Sequence, residues 1–183
     1  WLQEKYTNAL NFEHTMLLTD EYLDPMLPAL GFTPLDKTQY KEHSFFYAAE
    51  RNGDKSCLDS IRWPNLSEKH RQAFTDFIDH HVTMVEELNQ QMRASTIPVY
   101  LFGAHIFSTY LFSFGLEKQK IVGMLDNSPT KRGKRFYGTE FMVESPEVLR
   151  GKGPVQVIVK AGIYTEEIKQ GILEKINPEV KFL

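Results

Sequence analysis

The sequence has almost no cysteine and no long apolar segment. Its 183 residues contain one cysteine, Cys57, which excludes an internal disulfide and a cysteine-rich zinc site. No apolar run approaches the roughly 18 residues that a membrane-spanning helix needs, and no signal-peptide pattern is present. We therefore predict no membrane partner and a reducing compartment, the cytoplasm.

The chain also lacks an excess of positive charge. Its formal net charge is −3 and its pI is about 6.1, whereas general nucleic-acid-binding proteins are usually basic, so we expect no nucleic-acid partner. Hydrophobic residues make up 42% and charged residues 25%, a globular balance that excludes a disordered chain. His80 and His81 lie on adjacent faces of a predicted helix and cannot jointly chelate an ion. We predict no metal site.

The second half of the chain alternates between strand patterns and helical patterns. Short continuous apolar runs bounded by turn residues are typical of buried strands. The predicted strands are residues 97–102, 121–125, 141–143, 155–159 and 180–183. Predicted helices cover residues 105–114 and begin at Ser145 and Thr165. Such alternation indicates a parallel sheet, so we predict an α/β, Rossmann-like domain whose main strands follow the order 97–102, 121–125, 155–159.

The first half has a mixed pattern that predicts a helical, α+β segment. Apolar residues at helical spacing predict a helix from Thr19 to Leu30, which ends at Gly31. Pro25 should kink or split that helix because proline removes a backbone donor and clashes with the preceding turn. Two strands are predicted after it, at residues 32–35 and 43–49.

A long helix connects the two halves. Asn65 to Glu68 resembles a capping box, and the helix that it opens runs to about Arg93. The apolar stripe of this helix consists of Phe74, Phe77, Ile78, Val82, Val85, Leu88 and Met92. We therefore divide the chain into a first segment (1–66), a connecting helix (67–95) and a Rossmann-like domain (96–183).

A candidate nucleotide site stands where the first strand of the second half meets its helix. Gly103, Ala104 and His105 occupy the turn at which dinucleotide-binding folds hold a pyrophosphate with backbone N–H groups. Asp126 ends the next strand about 20 residues later, the place of the acid that binds ribose hydroxyls. The full Gly-x-Gly-x-x-Gly pattern is absent. The alternative is that Gly103 makes a tight turn and Asp126 caps one.

Two further groups of residues are candidates for chemistry. Lys131 and Lys134 belong to a cationic cluster at the strand-end side of the predicted sheet, and such a cluster can neutralise a diphosphate. The alternative is an ordinary solvated loop. Glu13 and His14 form the second group, because a histidine beside an acid can serve as a general base near neutral pH. A purely structural histidine is the alternative.

These motifs together resemble the C-terminal part of the SAM-dependent sugar C-methyltransferases, which act on nucleotide-linked deoxysugars. The resemblance covers essentially the whole chain. Its most specific piece is the Asp-Asn-x-Pro-x-Lys-x-Gly-Lys stretch from Asp126 to Lys134, followed by Gly138-Thr139. The second piece is Glu13-His14 followed by a helix and Gly31-Phe32. The chain departs from the family pattern at Asn11, Phe107 and the stretch 161–164.

The resemblance implies a zinc-binding module, a SAM-binding methyltransferase domain and a C-terminal Rossmann-like domain that helps to hold the nucleotide sugar. This chain would contain the tail of the second part and all of the third. The glycine-rich SAM loop is missing from its sequence, so the cofactor S-adenosyl-L-methionine is expected to bind the parent protein and not this chain alone.

The resemblance also implies roles for individual residues. His14, with Glu13 beside it, would remove a proton from the sugar carbon next to a keto group. Gly103, Ala104, His105, Asp126, Lys131 and Lys134 would bind the substrate. A non-catalytic nucleotide-sugar-binding module of another transferase is the alternative function, and a bare interaction domain is a third. Whether the chain forms a homo-oligomer stays open.

Overall fold

The computed structural model describes residues 1–7, 16–41, 44–53, 59 and 61–183. The chain divides into two compact units, Trp1–Phe77 and Ile78–Leu183. The division falls inside a long helix, so this helix contributes residues to both units. Among the described residues, no helix combines the length and the apolar composition that crossing a bilayer requires.

The first unit begins its regular structure with helix α1, Asp20–Ala29. Gly31, with φ +82°, ends the helix as predicted, and its N–H bonds to the Pro28 carbonyl at 2.9 Å. The predicted split at Pro25 is wrong, since the helix is continuous through Pro25 and Pro28. Each proline removes one N–H donor, while Tyr22 and Leu23 still bond to Thr19 and anchor the first turn.

A two-stranded antiparallel hairpin follows, built from β1 (Phe32–Tyr40) and β2 (Ser44–Arg51). Both strands were predicted, but β1 extends five residues and β2 two residues beyond the predicted ends. One face contacts α1: the Lys37 ammonium bonds to Asp20 and Asp24 at 2.8 and 2.9 Å. On the other face the rings of Tyr40 and Phe46 meet edge to face and remain largely exposed.

Helix α2, Ser67–Arg93, confirms the predicted long helix. The Asn65 side chain begins it by accepting from the Ser67 hydroxyl at 2.9 Å, but Glu68 bonds to Arg71 in place of completing a capping box. The predicted apolar stripe is partly wrong, because Phe74 and Val82 are 43% and 46% exposed.

The buried face of α2 includes two polar residues, His81 and Asn89. His81 is 2% exposed and lies between the rings of Phe107 and Phe114, with centroid distances of 5.9 and 5.6 Å. Asn89 donates to the Gly115 carbonyl and accepts from the Glu117 N–H, both at 3.0 Å. These bonds satisfy the amide, which removes most of the free-energy cost of its burial.

The second unit is an α/β domain with a five-stranded parallel sheet, consistent with a Rossmann-like fold. Its elements in chain order are β3 (Val99–Phe102), α3 (Ile106–Ser113), β4 (Ile121–Leu125), β5 (Val143–Glu144), β6 (Val155–Val159), α4 (Thr165–Lys175) and β7 (Val180–Phe182). The predicted parallel sheet and its main strands are confirmed. The helix predicted at Ser145 is a single 3₁₀ turn, Pro146–Leu149.

The order of the strands across the sheet is β5-β4-β3-β6-β7. The predicted order, with β6 following β4, is wrong because β6 pairs with β3. The first strand of this unit therefore lies at the centre, with β4 on one side and β6 on the other. This is the doubly wound arrangement, in which the strand order reverses at the central strand.

Apolar side chains cover both faces of the sheet. On one face, Leu101, Met124 and Ile158 pack in one cluster with residues of α2 and α3. The cluster on the other face contains Tyr100, Leu125, Val157 and Val159. It also includes Leu149 of the 3₁₀ turn and Ile172 of α4. Burial on both faces explains why β3 is a continuous apolar run and why Gln156 is the only polar residue of β6.

Tyr100 occupies a space that exists only because residue 123 is glycine. Its ring is 5% exposed, and its hydroxyl accepts a hydrogen bond from the Lys152 ammonium at 2.9 Å. A Cβ at Gly123 would lie 2.9 Å from two carbons of the Tyr100 ring and 3.2 Å from a Glu144 carboxylate oxygen. The ring would therefore have to move away from β4.

We expect Gly123→Ala to lower the free energy of unfolding by about 1–3 kcal/mol, because the added methyl overpacks a buried ring. Gly171→Ala is the matched control, since a Cβ at Gly171 meets nothing within 4 Å in the middle of α4. The control should be neutral or stabilising by up to about 1 kcal/mol. Urea unfolding of both variants measures the difference, and equal stabilities would contradict this account of Tyr100.

Candidate functional site

Three loops of the second unit begin at one edge of its sheet. In the parallel register, Phe102 pairs with Leu125 on one side and with Val159 on the other. Gly103, Asp126 and Lys160 directly follow β3, β4 and β6. They therefore lie at the same carboxyl edge of the sheet. Open α/β sheets bind ligands at this edge, where the strand order reverses.

The turn after β3 is held by hydrogen bonds to Gly103. Its N–H donates to the Leu125 carbonyl at 2.7 Å, and its carbonyl accepts from the Ser108 hydroxyl at 2.5 Å. Gly103 has φ +105°, and a Cβ there would overlap the imidazole of His105. The turn therefore requires glycine. Sequence reasoning had assigned no role to Ser108, which looks like an ordinary helical serine.

Asp126 joins this turn to the loop after β4. The residue is 6% exposed, and one carboxylate oxygen accepts from the Ala104 N–H at 2.8 Å and from the Lys131 ammonium at 2.9 Å. The other oxygen accepts from the Ser128 N–H at 2.8 Å. The carboxylate therefore ties two loops together, as in the turn-capping alternative.

Electrostatics keep this carboxylate ionised. Burial raises the pKa of Asp126, but the donors from Ser128, Lys131 and Ala104 outweigh it and hold the pKa below its usual value. The pKa of the neighbouring His105 shifts in the direction that keeps the imidazole neutral. Burial, helped by the Lys131 ammonium and opposed by Asp126, lowers the pKa of the imidazole.

The structure thus brings five of the predicted substrate-binding residues together, namely Gly103, Ala104, His105, Asp126 and Lys131. The sixth, Lys134, is exposed on the same loop, and its carbonyl accepts from the Val143 N–H at 2.9 Å. Among the described residues, none forms a hydrogen bond or an ion pair with its ammonium. Its charge is therefore available to solvent or to a ligand.

The Gly138-Thr139 part of the motif lines a separate cavity of about 180 Å³. Lys118 and Phe112 also line this cavity, with the ammonium 5.2 Å from the ring centroid. Neither Gly103 nor Asp126 contributes to its lining. The sequence motif therefore divides between two places in the fold.

Several predicted residues cannot be placed. Glu13 and His14, the predicted catalytic pair, lie outside the described residues, as do Cys57 and Asn11. Within the part of the chain that the structure describes, no three His, Cys, Asp or Glu residues are arranged to hold a metal ion.

Sequence reasoning missed one residue at the edge, Lys160. It directly follows the five buried residues of β6 and is itself half-buried. A signal was available, because a lysine that ends a completely buried strand of a parallel sheet must lie at the carboxyl edge.

Comparison of this chain with protein-family models found no match, and comparison with curated proteins found none either.

We expect Asp126→Asn to lower the free energy of unfolding by about 1–3 kcal/mol at neutral pH, because it removes the charge that Lys131 and two backbone donors contact. The folded pKa lies below the unfolded value, so this stabilisation is complete above about pH 5 and is lost as the pH falls below about 4. Urea unfolding between pH 3 and 7 measures the difference between variant and wild type.

Asp79→Asn is the matched control, because Asp79 is exposed on α2. It should change the free energy of unfolding by less than about 0.5 kcal/mol. A constant difference between Asp126→Asn and wild type across this pH range would show that the carboxylate charge does not hold the two loops.

Proposed function

We propose that this chain is the C-terminal region of a SAM-dependent methyltransferase and that its second unit binds a nucleotide-linked sugar at the carboxyl edge of the sheet. The observation that carries the proposal is the convergence of the Gly103 turn and the cationic loop beside the central strand β3. Doubly wound sheets bind nucleotides at this point.

The contacts at the edge indicate that cationic side chains, rather than backbone N–H groups, would bind the diphosphate. The Ala104 N–H already donates to Asp126, so this amide is not available to a phosphate in the described conformation. The ammonium of Lys134 is exposed, and Arg132 donates to the Asn127 carbonyl on the same loop. Charge-assisted contacts from such groups are the stronger hydrogen bonds to phosphate.

In this proposal the first unit is the tail of the methyltransferase domain. A two-stranded hairpin is at best marginally stable by itself and usually needs further strands or a packed face. The hairpin of β1 and β2 contacts α1 on one face, but Phe46 is 62% and Leu35 is 66% exposed. These exposed apolar side chains support the proposal that the hairpin forms part of a larger sheet in the parent protein.

S-adenosyl-L-methionine would supply the methyl group in the parent protein. The described residues do not fit this cofactor, because the loop after β3 is Gly103-Ala104-His105 and the only acid at its base is engaged with protein donors. The part of this chain in methyl transfer would be to hold the sugar and, through His14, to accept its proton.

A second candidate function is a non-catalytic nucleotide-sugar-binding module. The same misfit to S-adenosyl-L-methionine favours it, since the carboxyl edge of the second unit needs no methyl donor to bind a sugar nucleotide. Binding of the nucleotide sugar with no methyl transfer by the full-length protein would decide for this function.

We expect calorimetric titration to detect binding of nucleoside-diphosphate sugars, and no binding of S-adenosyl-L-methionine, to this chain. Lys134→Met should weaken the binding of the sugar nucleotide several-fold by removing one cation near the phosphates. Lys120→Met is the matched control, because Lys120 is also exposed but precedes the amino end of β4. Equal losses in the two variants would refute binding at the carboxyl edge.

We expect His14→Asn in the full-length enzyme to slow solvent deuterium exchange at the sugar carbon next to the keto group by about a hundredfold, the size of a typical general-base contribution. Affinity for the nucleotide sugar should remain unchanged, because the base acts on the transition state. Mass spectrometry of the recovered sugar measures the exchange. Unchanged exchange in a stably folded variant would remove His14 from the mechanism.

A further inference from the structure

Lys160 stands on the side of the central strand opposite to Asp126. Val159 pairs with Phe102 in the parallel register, so Lys160 and Gly103 are the first residues beyond two adjacent strands. Neighbouring strands are about 4.8 Å apart, which places the two backbones side by side. The Lys160 side chain is half-buried there, whereas most lysines are mainly exposed.

Within the part of the chain that the structure describes, Lys160 has no directly paired counter-ion. Among the described residues, none forms a hydrogen bond or ion pair with its ammonium. Lys169 of α4 is a like charge nearby, and Glu87 of α2 is the only acid that acts on it appreciably. Burial and Lys169 lower the pKa of Lys160, while Glu87 raises it. A partly desolvated ammonium without a partner costs stability, so an anion would be bound favourably.

The Asp126 carboxylate at this edge does not compete with that anion for Lys160. The Asp126 carboxylate is neutralised by Lys131 and by two backbone donors. The loop after Lys160 is also open: Gly162 has φ +58°, and a Cβ there would meet no atom within 4 Å. An anion that approaches the edge on the β6 side therefore meets a cation and no free carboxylate of the loop after β4.

We propose that Lys160 binds a phosphate group of the ligand at the carboxyl edge, beside the Gly103 turn. The inference rests on the proposed function, since the ligand is taken to be a nucleoside-diphosphate sugar. A compact ammonium on a flexible stem is suited to a phosphate as a point charge. With this assignment the diphosphate is contacted by a cation on each side of β3, Lys160 on the β6 side and Lys134 on the β4 side.

The test compares Lys160→Met with wild type in calorimetric titrations against ADP, GDP, UDP and dTDP and against the four matching nucleosides. We expect the variant to bind the preferred diphosphate about 10-fold to 100-fold more weakly, the usual effect of one charged hydrogen bond, and to bind the nucleoside unchanged. Lys160→Arg, which keeps the charge, should retain most of the affinity.

Lys175→Met is the matched control. Lys175 is exposed in the last turn of α4, whose first turn follows the carboxyl end of β6, so it lies toward the opposite edge of the sheet. Thermal unfolding supplies a second readout. Lys160→Met should melt at a higher temperature than wild type, because it replaces an unpaired, half-buried charge by an apolar chain.

The outcomes separate the inference from the proposed function. Equal binding of the diphosphate by wild type and Lys160→Met overturns the inference and leaves the proposed function standing. A lower melting temperature of Lys160→Met with unchanged affinity also overturns it, because the role of Lys160 would then be limited to packing. Wild-type protein that binds none of the four diphosphates, nor any nucleoside-diphosphate sugar, overturns both.

Discussion

The Asp126 carboxylate is the contact on which the geometry of the carboxyl edge depends. Its three donors come from two loops, the one that leaves β3 and the one that leaves β4. Buried charge is costly unless it is paired and fully hydrogen-bonded, and here the donors more than compensate. The positions of Ala104, Ser128 and Lys131 are therefore coupled. A displacement of any of them alters the contacts of Asp126 with the other loop.

Much of the second unit could be predicted because its strands are buried on both faces. Predominantly apolar runs predicted the bounds of β4 and β6 to the residue, because the polar residues that flank such runs mark their ends. The order of the strands could not be predicted in the same way, because the three main strands β3, β4 and β6 are all predominantly apolar. Only the pairing of β6 with β3 places the central strand.

Polar residues explain most of the differences elsewhere. Asn89 lies on the buried face of α2, although a hydrophobic pattern counts only apolar residues as core. At the site, the spacing of Gly103 and Asp126 correctly indicated that the two are neighbours. It did not indicate which way the carboxylate points, because that depends on donors that only the folded loops present.

The electrostatics of the edge differ on the two sides of β3, and this difference follows from which charges have partners. On the β4 side, Asp126 and Lys131 neutralise each other and fix the backbone. On the β6 side, Lys160 has the like charge of Lys169 nearby, and among the described residues Glu87 alone opposes it. The interactions that organise the loops are thus separate from the unpaired charge of Lys160. In a fold arranged in this way, residue 160 and the residues after it can change while the Asp126 contacts, and with them the shape of the edge, stay intact.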